Sequence, residues 1–190
     1  QSFTVLNASG YVVAQRKAAV ASKVTAQILE IHVEEGSRVK KGDIIARLEG
    51  ADAAAARDQA RANLSVARYS LDQARAELED ARGSYEREKG LLTREYTTKA
   101  AFDAAEARFR KAEAGVAGAE SAVKAAEAAL EAAKVNLEYT LIRAPFDAVV
   151  LTKNADIGDI VTPLGAAANA KASVVTIADM QSLQVEADVS

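Results

Sequence analysis

Few residues in this sequence of 190 residues are of types that could support chemistry. The single histidine, His32, precedes Glu34 and Glu35, and imidazole beside carboxylates is a combination used for metal binding and proton transfer. A lone histidine on an alternating strand is more often a surface residue, and no serine and aspartate complete a catalytic triad around it. The absence of cysteine excludes thiolate metal sites and cysteine nucleophiles. The sequence therefore predicts no catalytic residue, no metal site, no cofactor and no enzymatic activity.

Charge and hydropathy exclude two further classes of protein. The net charge is -3 and no tract is strongly basic, so nucleic acid is not an expected partner. No apolar run approaches the roughly 20 residues of a membrane-spanning helix. Neither a nucleic-acid-binding protein nor a membrane-spanning helix is therefore expected.

A seven-residue repeat dominates the middle of the chain. Large side chains recur at heptad spacing in two runs, and alanine recurs three positions further on. The large residues are Leu64, Leu71, Leu78, Tyr85 and Leu92, then Phe102, Phe109, Val116, Val123, Leu130 and Leu137; the alanines are Ala60, Ala67, Ala74 and Ala81, then Ala105, Ala112, Ala119, Ala126 and Ala133. A strict apolar heptad repeat makes a helix supercoil about a partner helix.

The polar break Thr93–Lys99 separates the two runs, which are predicted to fold back on each other as an antiparallel coiled-coil hairpin. The helices are expected from about Ala53 to Leu92 and from about Lys99 to Leu137, with the turn near Arg94–Thr97. At 1.5 Å per residue each arm would be roughly 60 Å long. Burial of the seam does not explain that length, so the far end is expected to reach solvent or a partner.

Strand patterns precede and follow the hairpin. Before it, Phe3–Val13 and Ala18–Leu48 suggest short strands. After it, strand patterns cover 139–142, 144–147, 149–151, 160–161 and 174–177, with a small-residue loop at Gly165–Ser173. Both ends stop within a strand pattern, and Leu183–Val189 has no evident partner to pair with. We therefore expect the sequence to be a fragment of a longer protein.

The two strand-rich segments are related by a constant offset of 122 residues. This offset places Ala26 on Ala148, Ile28 on Val150, Gly36 on Gly158 and Val39 on Val161. Because one such half cannot close a core alone, the halves are predicted to form one sandwich interrupted by the hairpin. The residues predicted to point inward are Ile28, Val39, Ile45, Val150, Val161 and Ile177.

These segments resemble the halves of a biotinyl/lipoyl-type domain. The first half is Val33–Asp43 with Ile45–Leu48. The second, Thr140–Val150 with Gly158–Val161, resembles the form found in periplasmic adaptor (membrane fusion) proteins of tripartite efflux pumps and type I secretion systems. The order of the segments resembles that family over nearly the whole chain: a lipoyl-like half, the hairpin, a second lipoyl-like half, and then Ile177–Leu183 leading into a barrel strand.

The resemblance implies an α+β fold: a long antiparallel α-helical coiled-coil hairpin inserted between two halves of a lipoyl-like β-sandwich, with partial β-barrel strands at both termini. The implied divisions are 1–17 (partial barrel strands), 18–50 (first lipoyl-like half), 51–138 (hairpin), 139–179 (second half) and 180–190 (start of the barrel). Two departures stand out. Ala26 and Ala148 replace the family's usual glycines, and the barrel is expected to be incomplete, with one strand at each end and no membrane-proximal domain after it. A carrier function is not expected, because no lysine is available at Leu48–Asp52 to serve as a carrier arm.

The resemblance also implies a periplasmic adaptor subunit that links an inner-membrane transporter, of ABC or RND type, to an outer-membrane channel. Such a protein would be anchored to the inner membrane through a segment missing from this sequence, and would assemble as a homo-oligomer, a hexamer when intact. A coiled-coil spacer or a prong-type, holdase-like client-binding protein is the alternative. The split lipoyl-like halves favour the adaptor, because a prong has no need of them.

The family's hairpin tip carries an arginine, a leucine and a serine that are thought to meet the channel. Arg87, Leu91 and Thr98 match that spacing, with threonine in place of serine. Arg87 and Leu91 are an i, i+4 pair on one helix face, and Leu91 stands one position off the seam. Two simpler interpretations stay open: Thr98 caps the second helix, and Arg87 is a surface ion-pairing residue.

Overall fold

Both predicted helices are present in the computed structural model, which describes residues 8–163, 172–180 and 182–189. Helix α1 is Ala51–Thr93 and helix α2 is Lys99–Glu138. Their ends lie within two residues of the predicted ones, so the heptad prediction is confirmed. Neither helix, nor any other in the described part of the chain, is long and apolar enough to cross a membrane.

The apolar columns of the heptad repeat form the seam between the helices. Every residue of both columns is buried or half-buried, whereas most residues between them are exposed. The Tyr85 ring packs against Phe102 and Phe109, at centroid distances of 5.6 and 5.3 Å. Such aromatic contacts add about 1 kcal/mol beyond area burial. The buried seam residues are Leu64, Leu71, Ala81, Ala112 and Leu130.

Two ion pairs between the helices report their antiparallel register. Arg68 Nη2 lies 3.0 Å from Glu127 Oε1, and Arg75 Nη2 lies 3.3 Å from Glu120 Oε1. One heptad forward along α1 corresponds to one heptad backward along α2. Because the four side chains are well exposed, these pairs contribute little stability and chiefly disfavour other registers.

A second unit contains the described residues up to Ala51 and from Asn136 onwards. The strands within the described residues are β1 Ala8–Ala14, β2 Lys17–Val20, β3 Ala26–Ile31, β4 Arg38–Val39, β5 Ile44–Leu48, β6 Leu141–Arg143, β7 Ala148–Lys153, β8 Ile160–Val161, β9 Val175–Ala178 and β10 Leu183–Val189. They form two sheets with the strand orders β2-β9-β7-β4 and β6-β5-β3-β8, and β1 pairs with β10 in a two-stranded sheet.

The 122-residue repeat appears as a two-fold exchange of strands between the halves. Ala26 of β3 pairs with Val161 of β8, and the equivalent residue Ala148 of β7 pairs with Val39 of β4. The hydrogen bonds repeat in the same way. Ile28 N donates to Asp159 O at 2.9 Å, and Val150 N donates to Ser37 O at 2.9 Å. Each half therefore completes the sheet of the other.

Equivalent turns support this exchange. Gly36 and Gly158 have φ values of 86° and 95°, a conformation that glycine adopts without strain. Their amides close the exchange, because Gly36 N donates to Val150 O and Gly158 N donates to Ile28 O. The equivalent glycine turns of the two halves thus donate equivalent backbone hydrogen bonds to the other half.

The core of this unit contains all six residues predicted to point inward. Ile45, Val161 and Ile177 are fully buried, and Ile28, Val39 and Val150 nearly so. Ala148 is buried and Ala26 is packed against the core. The substitutions for the usual glycines therefore lie at equivalent positions, each paired with a valine of the other half.

Three strand predictions were wrong. Residues 144–147 form no strand, and 145–147 are bends, because Pro145 has no amide to donate and Asp147 Oδ1 accepts a hydrogen bond from Lys41 N at 2.7 Å. Residues 139 and 140 are a turn, so the strand begins at Leu141. Leu183–Val189 has a partner after all, since it pairs antiparallel with Ala8–Ala14 over its whole length. The part of the predicted strand pattern Phe3–Val13 that precedes Ala8 lies outside the described residues, as does the predicted loop Gly165–Ser173 up to residue 171.

Candidate functional site at the hairpin tip

The end of α1 is fixed by two backbone hydrogen bonds characteristic of a Schellman motif. Tyr96 N donates to Leu91 O at 2.9 Å and Glu95 N donates to Leu92 O at 3.0 Å. The motif places Glu95 in the left-handed region, with a φ of 61°. Helices commonly use glycine at this position, because a side chain there costs about 1 kcal/mol. The turn therefore has a defined but strained shape.

We expect Glu95→Gly to stabilise the hairpin by up to about 1 kcal/mol, because glycine has no Cβ to strain at positive φ. The matched control is Arg94→Gly, since Glu95 is the only non-glycine residue with positive φ in the described part of the chain. That control should lower stability by up to about 1 kcal/mol. Thermal melting followed by circular dichroism at 222 nm measures both changes. A Glu95→Gly variant no more stable than Arg94→Gly would contradict the strain.

Thr98 begins α2 as its N-cap. Its Oγ1 accepts a hydrogen bond from Ala101 N at 3.3 Å, and its carbonyl accepts from Ala101 N and Phe102 N at 3.1 and 3.2 Å. The capping interpretation of Thr98 is thus confirmed, and a role in partner binding stays a prediction. The adjacent Thr97 Oγ1 donates to Glu88 Oε2 at 2.8 Å. This bond ties the turn to the part of α1 that carries Arg87 and Leu91.

Arg87 is exposed, and its Nη2 donates to Ser84 Oγ at 3.0 Å. Within the described residues it forms no ion pair, so the ion-pairing interpretation of Arg87 was wrong. Its guanidinium bends back along α1, since Nη1 lies 3.6 Å from the position that a Cβ on Gly83 would occupy. The cation is held near the helix surface, and no carboxylate of the described residues forms an ion pair with it.

Leu91 and Tyr96 make the tip partly apolar. Leu91 is 39% exposed, whereas its neighbour Leu92 is half-buried in the seam. The off-seam position predicted for Leu91 is therefore confirmed. Tyr96, which the sequence analysis did not select, is more exposed still. An aromatic residue in an otherwise polar break was the signal that could have found it, because exposed aromatic rings are common anchors at interfaces.

Residues of α1 and α2 near the turn line a groove of 240 Å³. Three alanines form its small-residue lining on α2, and Arg108 of α2 lines it together with Arg87 of α1. Arg108 was not predicted from the sequence, because heptad spacing alone does not determine which polar residues of two helices meet. The lining residues are Ser84, Arg87, Glu88, Ala101, Ala104, Ala105 and Arg108.

The other unit also has a pocket, of 360 Å³, whose lining residues are Arg16, Lys41, Pro145, Phe146, Asp147 and Asp179. His32 Nε2 lies 3.4 Å from Glu30 Oε2 on an exposed surface. No cluster of three potential metal ligands occurs among the described residues. Lys153 forms a hydrogen-bonded ion pair with Asp156, which raises the pKa of the lysine. The tip is taken as the candidate site because it carries the residues that the sequence selects, Arg87, Leu91 and Thr98.

Comparison with known proteins gives a family model and solved structures. Residues 63–140 match the model described as RND MFP, alpha-helical hairpin domain. A search of curated protein sequences finds no significant match. MacA from Actinobacillus actinomycetemcomitans has 23% identity and a TM-score of 0.84, with 95% of this chain and 54% of MacA covered. The chain thus spans about half the length of that structure.

Two further structures have the same fold. The membrane fusion protein Spr0693 from Streptococcus pneumoniae R6 has 20% identity and a TM-score of 0.65, with 96% of this chain and 67% of Spr0693 covered. The periplasmic adaptor protein EmrA has 14% identity and a TM-score of 0.54, with 94% and 77% covered. The predicted family resemblance is thereby confirmed: the hairpin matches the hairpin-domain model of the RND membrane fusion proteins, and the chain has the fold of solved periplasmic adaptor proteins.

Proposed function

We propose that the chain is part of a periplasmic adaptor that links an inner-membrane transporter to an outer-membrane channel, with its hairpin tip docking on the channel. The observation that carries this proposal is the tip itself, where Leu91 is exposed and Arg87 is unpaired at the end of a 43-residue helix. Neither residue contributes to the seam. The match to the hairpin-domain model supports the same assignment.

The rest of the proposal follows the family. The protein is periplasmic, is anchored to the inner membrane outside the present sequence, works with a transporter of RND or ABC type and assembles as a homo-hexamer. It acts by assembly rather than by catalysis, so it needs no cofactor. The two-fold exchange of strands supports an adaptor over a holdase-like prong, because a client-binding hairpin does not require a split sandwich.

The test compares Leu91→Asp with Val135→Asp. Both side chains are 39% exposed on the hairpin, but Val135 lies at the opposite end from the turn. A charge at Leu91 should remove an apolar contact and lower channel binding at least tenfold, equivalent to about 1.4 kcal/mol or more. Val135→Asp should bind as the unaltered protein does. Chemical crosslinking to the channel in cells, together with an export assay, measures the effect.

Arg87→Asp provides a second variant of the tip, and we expect it to lose export while remaining folded. Normal helicity by circular dichroism is the control for folding. Full export by both Leu91→Asp and Arg87→Asp would reject docking through the tip. Suppression of client aggregation that is lost in the same variants, without any channel crosslink, would instead favour the holdase-like alternative.

A further inference from the structure

The hairpin has nine arginines, and five of them form ion pairs with a carboxylate. Four form no such pair within the described residues; of these, Arg87 and Arg108 line the same groove at the tip, whereas Arg61 and Arg94 do not. The paired arginines are Arg57, Arg68, Arg75, Arg82 and Arg110. Carboxylates are therefore plentiful along the hairpin but are not directed at these two guanidinium groups.

The groove contains one carboxylate of its own, that of Glu88. Its Oε2 accepts the hydroxyl hydrogen of Thr97 at 2.8 Å, and it forms no ion pair with an arginine within the described residues. The groove therefore has two positively charged side chains, Arg87 and Arg108, and one negatively charged side chain, Glu88. This excess of positive charge is confined to the groove, since the net charge of the whole chain is -3.

The floor of the groove suits the aliphatic part of a side chain. Ala101, Ala104 and Ala105 present only methyl groups, and they leave the 240 Å³ between the helices unfilled. A glutamate or aspartate entering there would place its methylene groups against alanine and its carboxylate between two arginines. Arginine is well suited to this, because its planar group donates two parallel hydrogen bonds to a carboxylate.

We propose that this groove receives an aspartate or glutamate side chain of the channel, held by Arg87 and Arg108. The inference rests on the proposed docking of the tip, and it adds the chemistry of the partner and a second arginine. An acidic side chain from a protein fits better than a free anion, because the groove combines an apolar floor with two cations.

Carbodiimide crosslinking tests the carboxylate directly, because it joins an amine to a carboxylate in contact with no spacer between them. Arg108→Lys introduces an amine into the groove while keeping the charge. Arg61→Lys is the matched control. Like Arg108, Arg61 is exposed and has no ion pair in the described part of the chain, but it lies on α1 and far from the turn. Full-length protein is treated in cells with its transport system, and crosslinked peptides are identified by mass spectrometry.

The expected result is an amide bond between position 108 and an acidic residue of the channel, with none at position 61. Arg87→Gln and Arg108→Gln should each lower recovery of the channel about tenfold. The double variant should lose less than the product of the two, because both arginines bind the same carboxylate.

Formaldehyde crosslinking of the unaltered protein separates the two proposals. Capture of the channel without any link at position 108, or with an unchanged yield in Arg108→Gln, would overturn the carboxylate site and leave tip docking intact. Failure to capture the channel at all would overturn both. A link from position 108 to a second copy of this chain would likewise reject the channel as the source of the carboxylate.

Discussion

Replacing Leu71 with aspartate is expected to open the middle of the hairpin and to lower its free energy of unfolding by at least about 3 kcal/mol. Leu71 is 9% exposed and lies in the seam one heptad from buried Leu64. The substitution removes an apolar side chain from the seam and places a carboxylate among apolar side chains there. Circular dichroism at 222 nm during heating measures the loss. Val123→Asp on the facing helix should act in the same direction.

Val66→Asp is the matched control for this experiment. Val66 lies five residues before Leu71 on the same helix, but its side chain is 65% exposed. A charge there remains hydrated, so we expect a change within about 0.5 kcal/mol. Equal melting temperatures for Leu71→Asp and Val66→Asp would contradict the seam.

The hairpin could be predicted from sequence almost to the residue. A heptad repeat is a local signal, because the apolar residues that define it are only three or four positions apart in the sequence. The break at Thr93–Lys99 was equally clear, because both apolar columns are lost there. The capping role of Thr98 was already an open interpretation at that stage. The left-handed Glu95 was not predictable, because glycine is the usual signal for that conformation.

The sandwich was predictable where it repeats and less so where it does not. The 122-residue offset identified equivalent residues such as Ala26 and Ala148, and equivalent positions must pack equivalently. The pairing of Leu183–Val189 with Ala8–Ala14 was missed, because its register joins segments more than 160 residues apart without any shared motif. The strand pattern over 144–147 was misleading for a local reason, since Pro145 interrupts the hydrogen bonding of a strand.

The tip was predictable only in part, for a similar reason. Arg87 and Leu91 follow from i, i+4 spacing on one helix. The approach of Arg108 to Arg87 depends on the register between two helices, which the heptad columns leave undetermined within a turn. The ion pairs Arg68–Glu127 and Arg75–Glu120 fix that register in the structure. The arginines of α1 and the glutamates of α2 at those heptad positions are visible in the sequence, and pairing their opposite charges could have predicted the register of the two helices.

A variant in which a short Gly-Ser linker replaces residues 52–138 is expected to keep the sandwich folded. All contacts between the halves that are described above lie outside the excised segment. Leu48 N donates to Thr140 O at 2.8 Å, and Arg47 pairs with Leu141, so the cut ends are already adjacent. A loop of a few residues between antiparallel strands is a common hairpin connection. Dispersed amide signals in a two-dimensional NMR spectrum would show the fold, and an unfolded spectrum would reject the split-domain interpretation.

Within that variant, Ile28→Ala is expected to lower the free energy of unfolding by about 2–5 kcal/mol, because it leaves a cavity in the shared core. Ile28 is 1% exposed, and its backbone hydrogen bonds go to Asp159 and Gly158 of the other half. A first-half substitution should therefore unfold both halves in one urea transition. Leu29→Ala is the control, since Leu29 is 44% exposed and should change stability by less than about 1 kcal/mol. Two separate transitions, or a second half whose NMR signals survive the loss of the first, would mean that each half closes its own core.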